Sequence, residues 1–195
     1  HVSIDEVLKQ ADMAMYRAKD AGRNTLRFFD PDMQEIVNQR AMLEAEMHDG
    51  LRHSQFFLLY QPQVDSQGRV TGAEALVRWQ HPAKGMVSPA VFIGLAEETG
   101  LILPLGHWVM QEAMRQQALW RRDPALAHLR LAINVSARQF RQEDFVAQVL
   151  QTLEQSGADP QCITLELTES LLLQDVEGVI DTMRTLKAHG VGFSL

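Results

Sequence analysis

The chain has very little cysteine and no long apolar run. Its one thiol, Cys162, cannot form a disulfide within these 195 residues, which fits a reducing compartment, and its ordinary role is that of a small buried hydrophobe. No apolar run approaches the ~20 residues that a membrane-spanning helix needs, and no signal peptide is visible. We expect a cytoplasmic segment without membrane contact and leave open a membrane anchor upstream in the parent protein.

The chain also has fewer basic residues than acidic residues. Eighteen Lys and Arg against 25 Asp and Glu give a formal net charge of -7, which argues against a nucleic-acid polymer as partner. Hydrophobic residues make up 46% of the chain, enough for a globular core. Because the sequence begins with His1 and stops soon after a Gly turn starts a new apolar segment, we expect a fragment of a longer protein.

The first 52 residues have mostly helical patterns. Residues 3–20 carry a Ser N-cap candidate and apolar residues at helical spacing. Residues 24–30 predict a short strand. Residues 32–52 predict a second helix, polar on most sides, which suits a linker between two domains.

From Phe56 onward, strands and helices alternate. Residues 56–64 and 70–79 flank the turn sequence DSQGR, which indicates a β-hairpin. Strand followed by helix, three times over, predicts parallel strands covered by helices, hence an α/β sheet or barrel. The predicted elements after the hairpin are helices at 88–100 and 105–123, a strand at 129–136, a helix at 143–157, a strand at 163–170, a helix at 176–190 and a strand from 191.

Three strands carry polar residues on one face. Alternation in residues 70–79 separates an apolar face from a face that carries Glu74 and Arg78. Charges on so apolar a segment are costly unless they meet a partner, a metal or a substrate. Asn134 and Glu166 lie on the polar faces of later strands, near their C-terminal ends, where a closed barrel carries its chemistry. Glu74, Asn134 and Glu166 form an oxygen-only set of the type that Mg²⁺ or Mn²⁺ prefers.

Each of these residues also has a simpler interpretation. A single Glu on a strand is more often at a solvated edge than on a metal, and Asn134 alone could tie down a loop. Glu169 could equally be a helix-initiating acid. Residues 138–144, RQFRQED, are most simply a solvated helix entrance.

Five motifs, in this order, resemble the EAL-domain cyclic di-GMP phosphodiesterases. They are YQP at 60–62, EALVRW at 74–79, FIGLAEETGLI at 92–102, NVS at 134–136 and ELTES at 166–170. The resemblance runs from about residue 40 to the end. It implies an incomplete TIM-like (β/α) barrel whose first strand is antiparallel to the second and which is truncated at the fifth strand.

The N-terminal segment carries a second resemblance. Residues 11–24, ADMAMYRAKDAGRN, are similar to the closing segment of a GGDEF diguanylate cyclase domain. This implies a tandem GGDEF-EAL signalling protein, with residues 1–31 as the GGDEF remnant and residues 32–195 as a linker helix and the N-terminal part of the EAL domain. Lys19 and Arg23 match basic residues that contact nucleotide phosphates in that family.

The EAL resemblance implies a reaction and its metal ligands. Glu74, Asn134 and Glu166 match the residues that bind the catalytic divalent metals, Mg²⁺ or Mn²⁺. The implied chemistry is metal-assisted hydrolysis of cyclic di-GMP to linear pGpG.

The same resemblance implies residues around the substrate. Gln61, Leu76 and Arg78 match residues that line cyclic di-GMP, with Arg78 on a phosphate oxygen. Glu169 matches a residue that holds the loop after the fifth strand in its active shape.

One large departure from the family stands beside this match. The family continues with further metal-binding aspartates, a lysine near the attacking water and another glutamate, none of which this chain contains. The fragment is therefore expected to be inactive, and poorly soluble or self-associated. Gly94 stands where the family is expected to have a bulkier residue. A noncatalytic cyclic di-GMP receptor and a bare α/β scaffold without a site are the alternatives, and a homodimer of the full-length parent stays open.

Overall fold

The computed structural model describes residues 3–20, 22–26, 28–29, 31–167 and 176–194. The chain divides into two compact units, His1–Glu46 and Met47–Leu195. The first unit contains helix α1 (Ile4–Asp20) and most of helix α2 (Pro31–Arg52), which continues to the start of the second unit. Both helices were predicted within a residue of these bounds.

The prediction of a strand at residues 24–30 is wrong for the part of that segment that the structure describes. Residues 24–26, 28 and 29 are in no strand, and the side chains of Leu26 and Phe28 are 76% and 79% exposed. A strand is stable only when a neighbouring strand pairs its backbone groups. The sheet ladders formed by the described residues do not include this segment.

The second unit alternates strands and helices as the sequence predicts. Its elements are β1 (Phe56–Val64), β2 (Val70–His81), β3 (Gly85–Val87), α3 (Pro89–Thr99), α4 (Ile102–Trp120), β4 (Arg130–Val135), α5 (Ala137–Phe140), α6 (Phe145–Ser156), a 3₁₀ turn (Pro160–Cys162), β5 (Ile163–Leu167), α7 (Val176–Ala188) and β6 (Gly192–Ser194). The short β3 and α5 were not predicted, because three or four residues are too few to show a period.

The strands form one mixed sheet in the order β1-β2-β4-β5-β6, with β3 paired to β2 beside this path. β1 and β2 form the predicted antiparallel hairpin, whereas β2 with β4, β4 with β5 and β5 with β6 pair in parallel. Parallel neighbours require the crossover helices that the sequence supplies between them. The α/β class and the antiparallel first pair are therefore confirmed.

One face of the sheet is the core. Trp79 of β2 is fully buried; its ring stacks on Phe56 at 5.2 Å, and Phe92 of α3 packs edge-on to both. Apolar side chains from β4, β5 and the covering helices continue this core, each at most 2% exposed: Leu131, Ile133, Ile163, Leu165, Met110, Met114, Val149 and Leu186. The described helices pack on this face, and the alternate residues of the same strands lie on the opposite, polar face.

The helices are built for packing on one side only. In α4, for example, Val109, Met110 and Ala113 are buried, whereas Arg115 lies on the outside and pairs with Glu112 at 2.6 Å. In the part of the chain that the structure describes, no helix combines the length and apolarity required to cross a membrane. Cys162, for which the sequence favours the role of a small buried hydrophobe, is half-buried in the turn ahead of β5, and burial raises the pKa of its thiol.

Candidate active site

The strand register brings the polar residues singled out in the sequence onto one face. Gln61 of β1 lies opposite Glu74 of β2, and Asn134 of β4 lies opposite Glu166 of β5. Glu74 is paired with Ala132, two residues before Asn134 on the same face. Side chains at such direct and diagonal positions are within reach of one another.

Side-chain contacts join these residues. The Asn134 Nδ2 atom donates a hydrogen bond to Glu74 Oε1 at 2.7 Å. Burial, followed by the negative charge of Glu74, raises the pKa of the Glu166 carboxyl, while a side-chain hydrogen bond with Gln63 lowers it. The structure thus places Glu74, Asn134 and Glu166 in one cluster, which we call the oxygen cluster.

The oxygen cluster has the chemistry of a partial cation site. It offers two carboxylates and one amide oxygen, which are ligands that hard divalent cations accept. The negative charge of Glu74 is one of the causes that raise the pKa of Glu166, and a cation bound at the cluster would offset that repulsion. For Asn134 to bind a cation, its amide must turn the oxygen rather than Nδ2 toward Glu74, and a half-turn of the carboxamide achieves this.

The ligand set in this part of the chain is incomplete. Among the described residues, no three His, Cys, Asp or Glu side chains lie close enough together to hold a metal. Mg²⁺ has about six ligands in a near-octahedral shell. The oxygen cluster fits one side of such a shell, and waters or other residues would have to complete it.

A cavity of about 280 Å³ opens beside the oxygen cluster. The ladder between β2 and β4 ends at Ala75 and Ile133, and β2 then diverges to pair with β3. The cavity occupies the gap that this divergence leaves above α4. Leu76 and Arg78, both half-buried, line it together with Asn134.

The other predicted site residues have different surroundings. The Arg78 Nη1 atom donates to the carbonyl oxygen of Val77 at 2.9 Å, which fixes the guanidinium at the cavity. Gln61 is exposed and lies across the ladder from Glu74 rather than on the cavity wall. Glu169 lies outside the described residues. Lys19 is exposed on α1 in the other unit.

The interpretation of residues 138–144 as a solvated helix entrance is wrong for Gln139 and Phe140, although Arg138 is exposed and α5 begins here. The side chains of Gln139 and Phe140 are only 6% and 3% exposed. Ser136 and Gln139 form a capping box at the start of α5. The spacing Ser-x-x-Gln directly after a strand is the sequence signal that predicts such a box.

Gln63 was also missed. It contacts the carboxyl of Glu166 although β1 and β5 are separated by two strands in the sheet. Strand alternation places it on the face of Gln61, but the curvature that brings β1 toward β5 is a property of the whole sheet and cannot be read from one strand.

Comparison with known proteins identifies relatives of this architecture. Residues 44–195 match the family described as EAL domain. The bifunctional diguanylate cyclase/cyclic di-GMP phosphodiesterase MucR of Pseudomonas aeruginosa is 39% identical over 191 residues, 97% of this chain and 28% of that protein. Cyclic di-GMP phosphodiesterase PdeR of Escherichia coli is 38% identical over 184 residues, 94% of this chain and 28% of that protein.

A solved structure is also similar to this chain. The PaMucR phosphodiesterase in complex with c-di-GMP has a TM-score of 0.75 at 39% identity, covering 79% of this chain and 62% of that one. The chain spans a little over a quarter of the length of these two curated relatives.

Proposed function

The chain belongs to the EAL domain family, and on that premise we propose that it is the N-terminal part of the catalytic domain of a cyclic di-GMP phosphodiesterase. Relatives named as phosphodiesterases of this dinucleotide support the substrate. The observation that carries the proposal is the oxygen cluster: two carboxylates and an amide meet on the polar sheet face beside a cavity.

In this proposal the oxygen cluster is part of a divalent-cation site for Mg²⁺ or Mn²⁺. Divalent cations supply Lewis-acid stabilisation of phosphoryl oxygens and a more acidic water. Glu74 and Glu166 provide the negative charge that holds such a cation, and Asn134 provides a neutral oxygen. Their strands are joined by backbone hydrogen bonds, so the ligands are held on a rigid support.

The cavity side of the site would receive the dinucleotide. Arg78 uses one N–H group on the carbonyl of Val77, which leaves further donors of its guanidinium for a phosphate oxygen. Leu76 gives the cavity an apolar wall suited to a base or ribose face, and Gln61 offers an exposed amide near Glu74. Hydrolysis adds water across one of the two phosphodiester linkages, and the ring opens to linear pGpG.

We further propose the domain arrangement that the sequence suggests, a GGDEF remnant at residues 1–31 followed by a linker helix and the EAL segment. The match to the bifunctional MucR extends over 191 residues. That is longer than residues 44–195, so it includes residues ahead of the EAL match. Because the remaining ligands and the lysine would lie beyond residue 195, the isolated 195-residue chain should not turn over substrate.

The test is hydrolysis by the full-length protein. Cyclic di-GMP is incubated with Mg²⁺ or Mn²⁺, and pGpG is quantified by chromatography for the wild type, for Glu74→Ala and for Glu154→Ala. Glu154 is an exposed acid on α6 and serves as a matched control. We expect Glu74→Ala to lose at least about 100-fold in rate, since even indirect partners of a metal ligand are worth about 10–100-fold.

Three outcomes separate the hypotheses. Equal pGpG release by Glu74→Ala and Glu154→Ala would contradict the assignment of Glu74. Binding of cyclic di-GMP without hydrolysis by the wild type would favour the receptor alternative. Absence of both binding and hydrolysis would favour the remaining alternative, an α/β scaffold without a site.

A further inference from the structure

In the described part of the sheet, the end of β4 that leads from Asn134 into α5 has a paired strand on one side only. Beyond Ile133, β4 loses its pairing with β2, and only β5 continues alongside it, with Val135 opposite Leu167. Asn134 is itself exposed. Its backbone position is therefore set by β5 on one side and by the contacts of the residues that come next.

Those residues are held by Gln139. Its Oε1 atom accepts hydrogen bonds from the backbone N–H of Ser136 at 3.1 Å and from the Ser136 hydroxyl at 3.0 Å. The Ser136 Oγ atom in turn accepts from the Gln139 N–H at 3.2 Å. This reciprocal pair fixes the backbone two residues after Asn134.

The side chain of Gln139 in turn packs directly against Gly106, and we call this contact the seat of Gln139. A Cβ atom added at Gly106 of α4 would overlap the Gln139 carboxamide. Gly106 is helical and needs no positive φ, so close approach is the reason for glycine at this position. The neighbouring Arg138 donates to the carbonyl oxygen of Glu97 at 2.7 Å, near the C-terminal end of α3. The α5 turn is thus attached to both α3 and α4.

From these contacts we propose that Gln139, seated on Gly106, is a positioning residue that fixes the loop after β4 and so turns Asn134 toward Glu74. The claim that this geometry serves cation binding rests on the proposed function. The claim that Gln139 orders the loop does not, and it can be tested without any metal.

The first test compares Gln139→Leu with Gln139→Glu in the full-length protein. Leucine removes the acceptor at similar volume, whereas glutamate retains it in the Ser-x-x-Glu form of the capping box. Hydrogen exchange of the Asn134–Ser136 amides, followed by mass spectrometry, should become at least about 10-fold faster in Gln139→Leu and remain within a few-fold of the wild type in Gln139→Glu. Unchanged exchange in Gln139→Leu would overturn the proposal.

The second test measures cation binding rather than fold. Free Mn²⁺ is followed by electron paramagnetic resonance during titration. The relevant Mn²⁺ ion is the one whose binding is lost in Glu74→Ala. We expect its dissociation constant to rise about 10-fold in Gln139→Leu and to return to the wild-type value in Gln139→Glu. If Gln139→Leu lowers the melting temperature but leaves the Mn²⁺ dissociation constant unchanged, Gln139 stabilises the fold and does not position Asn134 for cation binding. If the wild type binds no such Mn²⁺, the proposed function fails, and the exchange test alone decides on Gln139.

The seat itself is tested by a double-mutant cycle. Gly106→Ala should displace Gln139 and accelerate exchange at Asn134–Ser136 as Gln139→Leu does. In a Gln139→Ala background the clash is gone, so adding Gly106→Ala should change exchange by less than about two-fold. Full additivity of the two substitutions would contradict the contact.

Discussion

Gly72 sets how closely β2 can approach β4. A Cβ atom at this position would lie 2.5 Å from the carbonyl oxygen of Arg130, which is backbone and cannot rotate away. The residue lies two positions before Glu74 on the same face, and it is paired with Arg130 in the parallel ladder. The absence of a side chain here therefore helps to bring Glu74 within reach of Asn134.

Gly72→Ala should consequently destabilise the fold. We expect a loss of about 2–3 kcal/mol in the free energy of unfolding, the cost of forcing extra volume into a packed region, measured by urea denaturation. Gly94→Ala is the matched control, because a Cβ there meets nothing within 4 Å and Gly94 is inside α3. That variant should gain about 0.5–1 kcal/mol from helix propensity. An equal loss in both variants would show that the close approach is not the cause.

The individual residues of the site were only partly accessible to sequence reasoning. Glu74, Asn134 and Glu166 stand out because each interrupts an apolar strand. Gln139 and Gln63 do not, since glutamine is common on surfaces and neither breaks a pattern. Their roles depend on contacts with Gly106 and with a strand three positions away in the sheet, which no local spacing encodes.

At the scale of elements, the hairpin between β1 and β2 is fixed by its turn. Asp65 accepts hydrogen bonds from the backbone N–H groups of Gln67 at 2.8 Å and Arg69 at 3.0 Å. Its other oxygen accepts from Arg69 Nε at 2.8 Å. The backbone and side-chain hydrogen bonds of Arg69 hold the pKa of the Asp65 carboxyl below its ordinary value.

This shift predicts a pH dependence. A lowered pKa means that the ionised form stabilises the folded hairpin above the unfolded pKa of about 3.9, and that this contribution is lost as the pH falls through the folded pKa. Asp65→Asn should therefore be less stable than the wild type at pH 7 and match it near pH 2, as measured by urea midpoints. Asp181→Asn, which breaks a surface ion pair on α7, controls for charge removal outside the turn. A difference that persists in acid would contradict the assignment.

Helices and strands were predictable where they are long enough for the spacing of their apolar residues to repeat. The helices of 11 or more residues and the strands of five or more show their periods in the sequence. The segment at 24–30 has strand-like composition but no strand to pair with, so its prediction was wrong for the described residues. Whether a strand forms depends on neighbours, and these need not be near in sequence.

At the scale of the whole molecule, the sheet formed by the described residues ends at β1 on one side and at β6 on the other. In the described ladders, β1 pairs only with β2 and β6 only with β5. Apolar side chains are exposed near one end, with Leu59 at 48% and Val64 at 60%. Open edges and exposed apolar residues are templates for association with another chain.

The isolated 195-residue chain should therefore self-associate. Size-exclusion chromatography with light scattering should give a mass well above the 22.0 kDa of one chain, because pairing of the open edges satisfies backbone groups that one copy leaves to water. A monodisperse monomer with a sharp, cooperative melting transition would count against this expectation. The order of elements and the antiparallel first pair were predictable from the sequence, but the curvature that brings β1 toward β5 was not.

The most direct test of the central hypothesis is to count the Mn²⁺ ions that the full-length protein binds, by electron paramagnetic resonance, in four variants. Glu74→Ala, Asn134→Ala and Glu166→Ala should each weaken or abolish binding of the same ion, while Glu154→Ala should leave it intact. If all three substitutions leave Mn²⁺ binding unchanged, the oxygen cluster does not hold a cation and the proposed phosphodiesterase site is wrong.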